Sequence, residues 1–244
     1  MEDSSRRTNM YQEVVAADDE TPSIKEVFET PHLRKAVFLG CLALQNTVAL
    51  WSILLGSTNF LMQSGVEASV AQWSSTGMAL CYFIGTMLGS MVVEKFGRRP
   101  MLLTFTLANT AFLTSYVIFS ELQPYISCLN YGCLICFLLY GFTYGYGVGP
   151  ISWFISSELV PQRHRSLVQS ICYAINTVMV VISTFTILPL FACIRAYAFL
   201  ILYVIPSIIS LAVLFFKLPE TKGREIHDIV VELCGAKQRD NNKC

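Results

Sequence analysis

Long apolar runs alternate with short polar punctuation along the chain. Residues 1–35 are polar and mixed in charge, and residues 218–244 are polar again. Between them lie six apolar runs, at 36–56, 70–93, 101–120, 127–153, 167–191 and 196–216. A helix needs about 20 residues to cross the roughly 30 Å hydrocarbon core of a bilayer, and each run is long enough. None of the six contains Asp, Glu, Lys, Arg or His. The pattern predicts an all-α membrane protein with six transmembrane helices at 36–217, a cytoplasmic N-terminal segment 1–35 and a cytoplasmic tail 218–244. The orientation comes from the loops. Lys95, Arg98, Arg99, Arg163 and Arg165 fall in alternate loops, on the side of both termini, and the opposite loops hold Arg195 as their only base. Basic loops stay inside, so both termini are expected in the cytoplasm of a multi-pass protein.

Before the first run, about twenty residues read as disordered. Ser23 with Glu26 three residues later fits a capping box, opening a short helix with Ile24, Val27 and Phe28 on one face, which Pro31 stops. Met1 leads into charged residues, so no signal peptide is expected.

Within the runs, small residues recur every fourth position. Gly77, Cys81, Gly85 and Gly89 mark the second run, and Gly141, Gly145 and Gly149 mark the fourth. Such stripes let helices approach closely in lipid. Pro150, directly after Gly149, lacks a backbone donor and is expected to kink or break its helix; Pro189 and Pro206 should bend the last two spans or sit near their ends. Polar uncharged groups remain inside the membrane: Gln45, Asn46 and Thr47 in the first run, Asn176 and Thr177 in the fifth. Amides carry paired donors and acceptors that suit hydroxyl-rich ligands, and they equally suit interhelical hydrogen bonds.

Composition narrows the function classes. Hydrophobic residues make up 54% and charged residues 14%, against about a quarter charged in soluble domains. Lys plus Arg and Asp plus Glu are 17 each, which gives no field for nucleic acid. Cys133 and Cys136 form a C-x-x-C inside an apolar run and read as small helix residues. No catalytic set, metal-ligand spacing, cofactor motif or phosphate-binding loop is visible, so a membrane enzyme ranks last. An ion-coupled carrier usually places an ionisable group in the membrane; bare spans favour downhill movement.

Three motifs carry a resemblance. Residues 145–166 read G-Y-G-V-G-P-I-S-W-F-I-S-S-E-L-V-P-Q-R-H-R-S, residues 94–99 read E-K-F-G-R-R, and residues 219–224 read P-E-T-K-G-R. In that order and spacing the chain resembles the sugar porter family of the major facilitator superfamily, including its facilitative hexose transporters. The likeness runs over residues 23 to 233 and corresponds to the C-terminal six-helix half of a member. It implies a uniporter of a sugar or related polyol working by alternating access, placed most readily in the plasma membrane. It also implies a partner in the form of an N-terminal six-helix half or a second copy. A half-size partner of a full carrier, or a nutrient receptor that binds without transport, is the alternative.

The resemblance also assigns residues. Gln45 matches an amide that holds sugar, Asn46 replaces a second Gln, Trp153 matches the Trp after the Gly149-Pro150 break, and Asn176 matches an Asn. Elsewhere the pocket departs from the family: Val48 and Ala49 replace a Ser-Gly pair, Trp51 an Asn, Tyr82 an Asn, Gly145 an acid and Thr177 a Trp. Glu94, Arg98, Arg99, Glu158 and Arg165 would form an inner-face network that closes one conformation and opens in the other.

Overall fold

The computed structural model describes residues 23–126, 128–224 and 229. The expected disorder of the first twenty or so residues, and the tail beyond 229, lie outside them. A short helix α1 (Ile24–Glu29) precedes six helices of membrane length: α2 (Pro31–Gln63), α3 (Ala68–Phe96), α4 (Arg98–Leu122), α5 (Leu129–Glu158), α6 (Gln162–Ile194) and α7 (Tyr197–Lys217). Each apolar run is therefore helical over nearly all its length, and every helix passes its run's C-terminal limit, because backbone hydrogen bonding continues into the polar flanks. Pro31 opens α2 at its first turn, where its missing N–H costs nothing. Ser23 supplies no side-chain cap to α1, and Glu26 also reaches His164 in the first turn of α6.

Packing follows the small-residue stripes. α3 lies against α5, and a Cβ added at Gly85, Gly89 or Gly145 would collide with backbone atoms of Phe142, Tyr146 or Tyr82 respectively. Without a hydrophobic force between helices in lipid, such close van der Waals contact is what holds them. α5 also packs on α4, α2 pairs with α6, and α7 closes against α2 and α4. Away from the charged turns, Phe60, Tyr116, Phe137, Phe191 and Phe199 interlock, with Tyr116 and Phe137 stacked at 4.3 Å. Outward faces are apolar: Trp73, Met91 and Phe185 are exposed, as a bilayer requires.

Three spans are irregular. α2 is interrupted at Asn46 and Thr47, between helical stretches Pro31–Gln45 and Val48–Gln63. α5 widens into a π-helical segment at Tyr144–Val148, and α7 does the same at Leu200–Val204. Each π segment ends just before a proline, Pro150 or Pro206. One wide turn absorbs the missing donor and the ring's clash, so α5 passes through Gly149 and Pro150 without stopping. Pro189 sits inside a continuous helical stretch.

Candidate functional site

Two groups of polar side chains stand out, one in an open cleft and one at the end of the bundle that carries the basic turns.

The cleft lies between α2 and α6 and has a volume of about 220 Å³. Gln45 and Asn176 contribute its amides, and Phe38, Leu42, Ile175 and Met179 its apolar rim. Gln45 is half-buried and Asn176 buried, its Oδ1 accepting from the Thr47 hydroxyl at 3.5 Å. Asn46 points elsewhere. Successive helical residues are about 100° apart, so Gln45 and Asn46 cannot share a wall. The Asn46 amide turns into the bundle and donates to Ser210 Oγ at 3.1 Å and to the Leu42 carbonyl at 3.2 Å. Those bonds satisfy groups that the interruption of α2 would otherwise strand.

Trp153 stands on α5 just past Pro150. Its ring meets Tyr173 of α6 edge-on at 5.0 Å, and the Tyr173 hydroxyl donates to the Trp153 carbonyl. Gln169 donates to that hydroxyl, which completes a clamp across the start of α6. Tyr173 lies one turn before Asn176, so the clamp sits immediately along α6 from the cleft. Gly149 has the Tyr144 ring where a Cβ would go, 2.8 Å from Cε1. Trp51, Tyr82 and Thr177 line no wall with Gln45 and Asn176.

At the basic end, the chain between α3 and α4 turns at Gly97, with φ of +94°, a region closed to ordinary side chains. Arg98 then opens α4, and its Nε lies 3.3 Å from Glu158 Oε1 at the end of α5. Arg99 reaches across to α7 and donates to the Phe215 carbonyl near its end at 2.6 Å. The organising residue is Glu220. Its carboxylate accepts from the backbone N–H of Arg98 at 3.0 Å and of Arg99 at 3.2 Å, capping α4 from the segment after α7. Thr221 donates to Glu158, and Lys222 to the Lys95 carbonyl. The P-E-T-K-G-R stretch is thus a latch across three elements. Sequence reasoning quoted that motif without giving Glu220, Thr221 or Lys222 a partner. Glu94 and Arg165, by contrast, form no ion pair among the described residues.

A third cluster ties α1 down. Glu26 receives His164 Nε2 at 3.0 Å and lies 3.8 Å from Arg163. The His164 hydrogen bond, aided by the Arg163 charge, holds the Glu26 carboxyl below its ordinary range. Histidine at this turn carried no signal in the sequence beyond its own presence.

Comparison with solved structures gives the class first. A crystallised double-Trp mutant of XylE superposes with a TM-score of 0.71 at 17% identity, over 94% of this chain and 48% of that one. The likeness shows the fold: the chain is a multi-pass bundle of six membrane-length helices that matches about half of that structure. The family follows from sequence: the profile named "Sugar (and other) transporter" matches residues 2–233, and the chain belongs to that family. Among curated relatives, the facilitated trehalose transporter Tret1 of Bombyx mori is 25% identical, over 90% of this chain and 44% of its own length. The putative metabolite transport protein YncC of Bacillus subtilis is 29% identical, over 89% and 47%. Mouse solute carrier family 2, facilitated glucose transporter member 3, is 26% identical, over 94% and 45%. The chain spans less than half the length of each of these relatives.

Proposed function

We propose that this chain forms one six-helix half of a facilitative carrier for a sugar or related polyol. The observation that carries the proposal is the α2–α6 cleft, where Gln45 and Asn176 stand inside an apolar rim with Trp153 clamped one turn away. Amides presented on such a surface match alternating donors and acceptors on a sugar ring, and the apolar rim matches its C–H faces. Asn46 supports that wall from behind by fixing the interruption of α2. Movement is downhill on this reading, which is supported by apolar runs that carry no Asp, Glu, Lys, Arg or His. A second six-helix half would face the cleft, and the two would rock about it. The latch at Glu158, Arg98, Arg99 and Glu220 would hold one of the two conformations, with both termini cytoplasmic and the carrier in the plasma membrane.

The test is uptake of radiolabelled hexose, trehalose and polyol in transporter-deficient cells. Cells would co-express this chain with the N-terminal six-helix half of a sugar porter. Saturable uptake of one class, weakened at least several-fold by Gln45→Ala or Asn176→Ala, is expected. Saturable binding without uptake in every pairing would overturn transport in favour of a receptor.

A further inference from the structure

Deep in the bundle, away from the cleft, three buried polar atoms converge without a protein partner: Asn46 Oδ1, Thr106 Oγ1 and Asn109 Nδ2. Their residues are 5%, 2% and 5% exposed. Asn46, Thr106 and Asn109 line one void of about 10 Å³, about the volume that a single water molecule's centre needs. We propose that this void is a built site for one resident water molecule, hydrogen-bonded to α2 through Asn46 and to α4 through Thr106 and Asn109.

The hydrogen-bond inventory selects the ligand. Asn46 spends its amide hydrogens on Ser210, Leu42 and Ala43, which leaves an acceptor facing the void. Thr143 donates to Asn109 Oδ1, which leaves the Asn109 amide as a donor. Thr106 offers a hydroxyl that works either way. One acceptor, one donor and one hydroxyl call for a molecule that both donates and accepts. Water also satisfies the other amide orientation. Thr143 can give its proton to the Leu139 carbonyl at 2.8 Å and accept from Asn109 Nδ2, which turns Asn109 Oδ1 into the void. A cation finds no carboxylate in the lining, and an anion finds no cation.

The position gives the water a structural task. Asn46 stands at the interruption of α2, Val148 ends the π segment of α5, and Val204 ends that of α7; all three line the void. Irregular backbone at membrane depth persists only where neighbouring groups satisfy it. The water pins Asn46 to α4 and thereby fixes the turn that aims Gln45 the other way.

X-ray hydroxyl-radical labelling of the purified full chain, read by mass spectrometry after brief mixing into 18O water, tests this. Radicals formed from a trapped water oxidise the groups beside it and carry the old oxygen isotope. Leu113 and Tyr140, which line the void, should be oxidised at least several-fold more than Leu102 and Phe137, which are equally buried in dry packing, and should retain 16O. Asn109→Leu should reduce their labelling to the level of Phe137. Thr106→Val, nearly the same shape, should reduce it several-fold, and serves if the leucine variant misfolds. Labelling of Leu113 and Tyr140 no higher than Phe137, or unchanged in both variants, would overturn the site. A thermal midpoint that rises in sodium chloride relative to choline chloride, and loses that rise in Thr106→Val, would replace water with a cation and also overturn it.

Discussion

Removing the Glu220 carboxylate should uncouple the segment after α7 from the start of α4. Glu220→Ala deletes two charge-assisted hydrogen bonds, at 3.0 and 3.2 Å, to the first backbone N–H groups of α4. Loss of a helix cap costs typically about 1 kcal/mol and up to about 2. Loss of an anion at a helix N-terminus adds about 0.3–1 kcal/mol. Glu220 is partly exposed, so water replaces some of what is lost, and a total near 2 kcal/mol follows, about 30-fold in an equilibrium constant. The Arg98–Glu158 pair, with side chains 23% and 27% exposed, should survive and contribute up to about 1 kcal/mol. Reversible unfolding of purified protein in mixed micelles, against detergent mole fraction, measures the shift. Glu220→Gln keeps one carbonyl acceptor and should recover about half. Equal stability of wild type, Gln and Ala variants would refute the capping argument.

Further outcomes follow from other parts of the fold. Gly89→Ala should cost about 1–3 kcal/mol, since its Cβ would meet the Tyr146 backbone and force α3 from α5; Gly77→Ala, facing only the Leu138 side chain, should be near neutral in the same micelle titration. The Glu26 carboxyl is held below its ordinary value of about 4.3, so its contact with His164 and Arg163 is complete above that value and lost as pH falls through the lowered pKa. A spin-label distance between α1 and α6 should lengthen on acidification, and Glu26→Gln should abolish that response. In the co-expressed carrier, Arg98→Ala should slow uptake more than Arg165→Ala, because among the described residues Arg98 alone of the two has a carboxylate partner; equal effects would make both simple topology signals. Cysteine at position 67, in the turn between α2 and α3, should be labelled by an impermeant reagent from outside the cell, and labelling only from inside would reverse the orientation.

The six spans were legible because twenty uncharged apolar residues have little alternative to a helix. Their ends were not, because hydropathy stops where the apolar run stops, while hydrogen bonding carries α2 back to Pro31 and α3 on to Phe96. The Gly149-Pro150 pair signalled a disturbance correctly but not its form. A proline's lost donor can be absorbed by a π turn upstream, and nothing local in the sequence chooses between a turn and a break. Gln45 and Asn46 read alike as paired amides, yet adjacent helical residues point about 100° apart, so one faces the cleft and the other the bundle. Glu220 shows the opposite limit. Its cap spans 121 residues of sequence, and no spacing rule links a carboxylate in the tail to amides at the start of α4.

What separates the cleft from the interior void is the completeness of each wall. In the interior, the unpartnered polar atoms of Asn46, Thr106 and Asn109 share one water-sized space, as burial in a dry core demands. In the cleft, Gln45 makes no hydrogen bond among the described residues, and the volume of about 220 Å³ opens outward. An amide left uncommitted at membrane depth is costly unless something meets it. On the proposed reading that something is a sugar hydroxyl, with a second six-helix half behind it. A sugar carries hydroxyls around its whole ring, and leaving those on one face unmatched would cost about 1–3 kcal/mol each. Two amides on α2 and α6 can serve one face only. On that same proposed reading the work is divided: this chain supplies one wall and the latch, and the opposite wall comes from another bundle.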